Sequence, residues 1–344
     1  MVFLPTNPEC RTVAANQTEN YHGIDLVKFL CAIMVFTIHI SPIQGDVSGF
    51  SQYLNFGLRH FICRLAVPFY FVSSGFFLFK KMSPYNLNTD AVKSYCFKIL
   101  RLFGVWNLLL FVGATGHLWY LGATVVAVTL LSVCLHFRIR LRYIGVLACL
   151  FYMVGLLGDS YHGLIAPLKN ITVFNFLHKG YFRAFSTTRN GVFMGFIFVF
   201  MGAVFSWYKM NLRPRTALIG LVVSMFCLLV EVFVLKYNDI PIDYNMYLFL
   251  LPTTYFLFSF ACTIQLKNCA IYKHLRNIGM LIYFLHMFIY KFVSLAMSVF
   301  EKCCGVNTKQ HLYIVTLFLT LFIAVFIDWL SCKNKFKWIK WFLS

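Results

Sequence analysis

Apolar runs of about twenty residues recur along this chain of 344 residues and constrain its fold more than any other feature. A helix needs about 20 consecutive apolar residues to cross the hydrocarbon core of a bilayer. The sequence contains ten such segments, at 24–43, 58–79, 97–115, 118–136, 143–161, 190–208, 216–236, 245–266, 278–298 and 312–331. It therefore predicts an all-α, polytopic membrane protein with about ten transmembrane helices.

The composition agrees, since 60% of the residues are hydrophobic and only 12% are charged, unlike an average soluble domain. The apolar segments divide the chain into a tail over 1–22, a membrane domain over 23–331 and a basic, aromatic tail over 332–344. The first tail lacks the continuous apolar core of a cleavable signal peptide, and we expect it in the cytosol. The second is expected to lie on an anionic inner leaflet.

The formal net charge of +19 is carried mainly by short segments between the apolar runs. That distribution is typical of membrane topology and not of nucleic-acid binding. Basic residues concentrate in every second connection, at Lys80, Lys81, Lys93, Arg138, Arg140, Arg142, Lys209, Arg213, Arg215, Lys267, Lys273 and Arg276. Because short basic loops stay inside, we expect both termini in the cytosol and a multi-pass protein of the inner or plasma membrane.

The twelve cysteines are scattered along the chain, and many lie inside apolar runs. A buried thiol in such a position behaves as a small hydrophobic group. The spacing of the cysteines matches no zinc site. We therefore predict neither a metal site nor a structural disulfide.

The first apolar segment contains ionisable residues, with Asp25 and Lys28 at its start and His39 near its end. Ionisable groups inside a bilayer usually mark function. On a helix, Lys28 and His39 lie about 16 Å apart along the axis and within about 20° of the same face. Asp25 is expected to pair with Lys28 at a spacing of three residues. This face would suit a protein that reaches substrates from both sides of the membrane.

The second and third segments add three more cations. Arg64 stands four residues before Pro68, so it either faces a substrate or water, or marks a packing kink with its guanidinium on a carbonyl. Lys98 and Arg101 share one helical face at the start of the third segment. They fit an anion clamp for phosphates or cations that extend towards lipid headgroups.

The opposite ends of the segments carry further polar residues. His117 precedes Trp119 and Tyr120 at the turn before the fourth segment, where aromatic residues also serve as interface anchors. Arg189 and Asn190 open the sixth segment, and a helix N-terminus favours an anionic or hydroxyl-rich group.

Two ionisable residues lie within later segments. Glu231 and His286 have no charged neighbour in their own apolar runs that would pair with them directly. Each is either a satisfied interior polar group or part of a site shared with another helix.

The order of these motifs resembles the acyltransferase-3 family of integral membrane acyltransferases. The order is Ile24-Asp25, Lys28, His39, then Arg64-x-x-Val67-Pro68-Phe69, Lys98-x-x-Arg101, His117-Leu118-Trp119-Tyr120 and Arg189-Asn190-Gly191. The resemblance covers residues 23–331 and extends to the membrane domain fused to vancomycin-resistance serine racemases. Lys28 and Lys98 occupy positions where the family commonly has arginine, so the charge is kept but the bidentate guanidinium is lost.

This resemblance implies a membrane enzyme that uses acyl-CoA as donor substrate, with no permanently bound cofactor. The acceptor would be a hydroxyl of an extracytoplasmic cell-envelope carbohydrate. The implied catalytic residues are His39, as general base or transient acyl carrier, with Arg64 and His117. Lys28, Lys98 and Arg101 would bind the donor, and the acceptor would lie near Trp119, Tyr120, Arg189, Asn190, Glu231 and His286.

A small-solute transporter is the alternative, because ten spans with intramembrane charges also describe solute carriers. Such carriers commonly contain paired discontinuous helices, and the Gly and Pro residues here form no two corresponding sets. The residues leave open the acceptor, the length of the acyl chain and the oligomeric state.

Overall fold

The protein is all-helical in the part of the chain that its structure, a computed structural model, describes. These residues are 21–43, 49–109, 116–185, 187–210, 212–305, 308–336 and 338, so most of the two predicted tails lies outside them. The helices are α1 His22–His39, α2 Phe50–Phe79, α3 Thr89–Leu109, α4 Trp119–His136, α5 Leu141–Leu157, α6 Thr172–Phe185, α7 Gly191–Tyr208, α8 Pro214–Tyr237, α9 Leu250–Thr263, α10 Ile271–Cys304 and α11 Leu312–Ser331.

Seven helices are long and apolar enough to cross a membrane: α1, α2, α4, α7, α8, α10 and α11. The apolar helices α5 and α9 are shorter, and the 14 residues of α9 extend only about 21 Å. Helices overlap all ten predicted segments. Ten crossings nevertheless stay a prediction, because only seven helices of the described residues are long and apolar enough to cross a membrane. The cytosolic location of both termini also stays a prediction.

Two glycines bring α2 and α7 into close contact. A Cβ atom at Gly75 would collide with the carbonyl oxygen of Val199, and one at Gly202 with the carbonyl oxygen of Val72. Small residues let membrane helices approach through their backbones. This contact joins α2, which carries Arg64, to α7, which begins two residues after Arg189.

Helix α1 lies against α2, α9 and α10. Its buried face includes Cys31, Ala32, Val35 and Phe36. On α10, a Cβ atom at Gly279 would lie 3.4 Å from the Cα atom of Phe29, so the two helices approach closely there. The helix that carries Lys28 and His39 is therefore surrounded by protein along much of its length, so its polar groups can face the interior of the bundle.

Candidate active site

Three histidines from different elements meet beside the C-terminal end of α1. His39 closes α1, His117 belongs to the short 3₁₀ turn before α4, and His286 lies within α10. Their ring centroids are 6.2 Å apart for His39 and His117, 5.4 Å for His39 and His286, and 4.8 Å for His117 and His286. The structure thus brings two predicted catalytic residues next to a third histidine predicted for substrate binding.

The surroundings of His286 determine which of its ring nitrogens carries a proton. Its Nδ1 lies 2.9 Å from the carbonyl oxygen of Ile282 and 3.0 Å from that of Tyr283. Carbonyl oxygens only accept hydrogen bonds, so Nδ1–H is the donor. Nε2 is buried without a hydrogen-bond partner. In the neutral ring Nε2 is therefore an acceptor available to a neighbouring imidazole or a ligand.

Arg64 and Arg189 meet at the side-chain oxygen of Asn245. Arg64 Nη1 donates to Asn245 Oδ1 at 2.5 Å, and Arg189 Nη1 donates to the same oxygen at 3.1 Å. The Arg189 guanidinium also lies 5.0 Å from the centroid of the Trp119 ring, a cation–π distance. Asn245 is a site residue that the sequence reasoning missed.

Irregular helical turns place both arginines. Arg64 follows a π turn, Leu58–Ile62, and lies in a 3₁₀ turn, Cys63–Leu65. Arg189 precedes a second π turn, Gly191–Gly195. Such turns inside helices occur frequently at functional sites.

Asp159 holds Asn245 in position from behind. Its Oδ1 accepts from the backbone N–H groups of Asn245 and Met246 at 2.8 and 3.0 Å, and its Oδ2 accepts from Asn245 Nδ2 at 2.9 Å. Asp159 is buried in the connection after α5. Burial raises the pKa of this carboxyl, while the hydrogen bonds from Asn245 lower it. The amide of Asn245 thereby has a defined orientation, with its oxygen towards the arginines.

These residues enclose a narrow cavity of about 30 Å³, which has room for a water molecule or two. We call it the histidine pocket. Its walls are formed by Val35, Ile38, His39, Arg64, Val67, His117, Trp119, Tyr120, Arg189, Met194, Asn245 and Tyr283. Six residues predicted from the sequence for catalysis or acceptor binding lie together here. In the described part of the chain, no group of three His, Cys, Asp or Glu side chains could hold a metal ion.

A second cavity of about 1090 Å³ adjoins the histidine pocket and begins near the other end of α1. We call it the cationic chamber. Its charged lining residues are Asp25, Lys28, Lys98, Lys273 and Arg276. Its volume matches the upper range of pockets that bind small molecules, about 1,000 Å³. Tyr120 and Tyr283 line both cavities, so the chamber and the pocket meet at these two rings.

Two of the three cationic residues predicted to bind acyl-CoA line the cationic chamber, and the third does not. Lys28 and Lys98 line the cationic chamber, whereas Arg101 is not among its lining residues. Lys28 forms no ion pair with Asp25 among the described contacts; its ammonium lies 4.5 Å from the Phe77 ring centroid. The expected direct ion pair between Asp25 and Lys28 is therefore not formed, because the ammonium lies over the Phe77 ring.

Lys273 and Arg276 are chamber residues that the sequence reasoning used only for topology. Their signal was available, since they stand three residues apart at the start of α10, as Lys98 and Arg101 do on α3. Residues at that spacing share a helical face.

Two predicted acceptor residues have structural contacts outside the pocket. Asn190 caps α7, because its side-chain oxygen accepts from the backbone N–H groups of Val192 and Phe193 at 3.0 and 3.1 Å. Glu231 accepts from the Tyr161 hydroxyl at 2.6 Å and from the backbone N–H groups at the start of α9. Both residues hold the segments that carry Arg189 and Asn245.

The fold and the two cavities define a class, a helical membrane protein in which a cationic chamber adjoins a pocket beside three clustered histidines. Residues 21–115 match the family model described as an acyltransferase domain, Acyl_transf_3. The first part of the chain is therefore similar to the acyltransferase-3 family, and this match confirms the family resemblance predicted from the sequence motifs. The match to that domain supports the assignment of this protein as a membrane acyltransferase.

The chain is also similar to three enterococcal proteins. It is 29% identical to an amino-acid racemase of Enterococcus faecalis over 71% of this chain and 36% of that protein. It is 28% identical to a second amino-acid racemase of that species over 77% and 40%, and 27% identical to a serine/alanine racemase of Enterococcus gallinarum over 92% and 47%. The chain thus spans less than half the length of these relatives. No solved structure matches it significantly.

Proposed function

We propose that this protein transfers an acetyl or similarly short acyl group from cytosolic acyl-CoA to a hydroxyl of a cell-envelope carbohydrate outside the membrane. The observation that carries the proposal is the junction of the two cavities at Tyr120 and Tyr283. It gives a ligand in the cationic chamber a direct neighbour in the pocket that holds His39.

The cationic chamber suits the nucleotide end of acyl-CoA. Four cationic side chains line it, from Lys28, Lys98, Lys273 and Arg276, against the single carboxylate of Asp25. Lysine and arginine are the usual partners of phosphate groups. Lys28 and His39 are about 16 Å apart along the helix, a distance similar in scale to the pantetheine arm of coenzyme A. The arm could therefore place the thioester in the pocket while the nucleotide stays in the chamber.

The histidine pocket suits the transfer step. His39 would take the proton of the acceptor hydroxyl while the hydroxyl oxygen attacks the thioester carbonyl carbon. A C–O bond forms, the C–S bond breaks, and the proton passes to the departing thiolate. Arg64 and His117 would stabilise the charge that develops on the carbonyl oxygen. In the other route, His39 itself carries the acyl group before the acceptor attacks.

The test is acyl transfer by the purified protein from radiolabelled acetyl-CoA to cell-envelope carbohydrates. His39→Ala should lower transfer about 10²–10⁴-fold, the usual contribution of a general acid–base group. His136→Ala is the matched control, because His136 is an exposed histidine at the far end of α4. Folding of both variants is checked by their thermal unfolding in detergent.

Two outcomes would contradict the proposal. Full transfer by a folded His39→Ala protein would remove His39 from the reaction. Uptake of a solute by proteoliposomes that contain no acyl-CoA, without any thioester cleavage, would support the transporter instead.

A further inference from the structure

Arg64 and Arg189 share one neutral acceptor. Both guanidinium groups donate to Asn245 Oδ1, at 2.5 and 3.1 Å. An amide oxygen carries no formal charge, so it neutralises neither cation. In the described residues neither Arg64 nor Arg189 forms an ion pair with a carboxylate, whereas His274 and Asp328 form one at another place in the bundle.

The carboxylates nearest to the arginines are occupied by other donors. Asp159 accepts from Asn245 and Met246 on the side of Asn245 that faces away from the arginines. Asp243 is exposed, and its Oδ1 accepts from the backbone N–H of Tyr244 at 2.8 Å. Their charges act on the arginines over a distance but leave the guanidinium N–H groups without an anionic partner.

Unused donors point to a missing ligand. The Nε atoms of Arg64 and Arg189 are both buried and have no hydrogen-bond partner. A buried charged donor without a partner is costly. Both side chains line the histidine pocket, and Trp119 supports the Arg189 guanidinium from one face. A planar or tetrahedral oxyanion is the ligand that guanidinium groups bind in a bidentate manner.

The donor does not supply this anion. The phosphates of acyl-CoA would lie in the cationic chamber with Lys28, Lys98, Lys273 and Arg276. Arg64 and Arg189 do not line the chamber. The two residues that line both cavities, Tyr120 and Tyr283, carry no positive charge, so they would not bind the donor phosphates. The arginines thus belong to the part of the pocket that is left for the acceptor.

We propose that the acceptor carries an anionic group, a carboxylate or a phosphate, close to the hydroxyl that is acylated, and that Arg64 and Arg189 bind this group. The inference rests on the proposed function and specifies its acceptor. It makes Arg189 a specificity-determining residue, while Asn245 acts through both arginines as a positioning residue.

Matched pairs of acceptors test this inference with the full-length protein and labelled acetyl-CoA. N-acetylmuramate is compared with N-acetylglucosamine, and glycerol 3-phosphate with glycerol, so that each pair differs by an anionic group. We expect kcat/KM to be at least about tenfold higher for the charged member of one pair, the effect of one charge-assisted hydrogen bond. The pair that shows the preference distinguishes a carboxylate from a phosphate.

Arginine variants then locate the preference. Arg189→Gln should reduce the charged-to-neutral ratio about tenfold, mainly through KM, and Arg189→Lys should retain part of it because the charge remains. The control is Arg183→Gln, an exposed arginine on α6. Equal use of both members of each pair by an active enzyme would overturn the inference but leave the proposed function intact. An unchanged ratio in a folded Arg189→Gln protein would also overturn it.

A binding measurement separates this inference from the transfer reaction. Stabilisation of the protein by the preferred charged compound, measured as a shift in unfolding temperature, should exceed that by its neutral partner and disappear in Arg189→Gln. Such binding without acyl transfer would support the anion site while contradicting the proposed function. Equal shifts with both members would contradict the anion site.

Discussion

At the scale of single residues, Tyr283 is one of two side chains that line both cavities. Its hydroxyl donates to the backbone oxygen of His117 at 2.9 Å, and its ring centroid lies 5.7 Å from the His117 ring. The ring is therefore held against the histidine cluster from the chamber side. Because the pocket beyond it measures only about 30 Å³, Tyr283 is placed to limit how much of an acyl chain can enter.

Replacement of this ring should change the preferred donor. We expect Tyr283→Ala to raise the ratio of butyryl-CoA to acetyl-CoA turnover about tenfold or more, since loss of the ring enlarges the pocket towards the chamber. Tyr272→Ala is the control, because Tyr272 lines the chamber but stacks on His22 at 4.4 Å. Competition between the two thioesters measures the ratio. An unchanged ratio in an active Tyr283→Ala protein would show that Tyr283 does not limit chain length.

Some residues of the histidine pocket could be selected from the sequence, and others could not. His39, Arg64 and His117 could be found because an ionisable group in an apolar run is costly and demands an explanation. Asn245 and Tyr283 carry no such cost in isolation. Their roles arise from neighbours distant in sequence, such as Asp159 for Asn245, and only the tertiary structure brings these together.

At the scale of helices, the predicted start of α9 is wrong because the backbone N–H groups before it donate hydrogen bonds to carboxylates and not to helix carbonyls. The predicted segment 245–266 begins five residues before α9, Leu250–Thr263. In the intervening residues the N–H groups of Asn245 and Met246 donate to Asp159, and those of Leu248 and Phe249 donate to Glu231. Hydropathy reports the apolar side chains there but not these hydrogen bonds. The resulting loop is what places Asn245 in the pocket.

The contact between α2 and α7 gives a test of the helix packing. Gly202→Ala should destabilise the protein by about 1–3 kcal/mol, since the added methyl group would press on the backbone of α2 near Val72 and overpacking costs that much. The control is Gly122→Ala on α4, where a Cβ would meet no atom within 4 Å. A helical Gly→Ala change in open space stabilises by about 0.5–1 kcal/mol.

The free energy of unfolding of Gly202→Ala and Gly122→Ala is measured in mixed detergent micelles and compared. Because Gly202 lies on the helix that follows Arg189, Gly202→Ala should also lower acyl transfer. Equal stability of both variants would show that α2 and α7 do not approach as closely as described.

At the scale of the whole molecule, contacts between chain segments define two ends of the bundle. At one end His22 Nε2 lies 3.2 Å from Asn268 Oδ1, and His274 of α10 contacts Asp328 of α11. The 34 residues of α10 then extend about 51 Å, more than the roughly 30 Å of a hydrocarbon core. The end of α10 must therefore lie at the opposite side from the start of α1.

Exposed native cysteines at these two ends test the predicted orientation. Cys269 and Cys332 lie at the end with His22, and Cys303 and Cys304 close α10 at the other. A membrane-impermeant maleimide is added to intact cells that have no outer membrane or cell wall. If the basic connections face the cytosol, it should label Cys303 or Cys304 and spare Cys269 and Cys332. Inverted vesicles should show the reverse, with peptide mass spectrometry identifying each site. Labelling of Cys332 in intact cells would place the cationic chamber outside, where acyl-CoA is absent, and would contradict both the orientation and the proposed path of the donor.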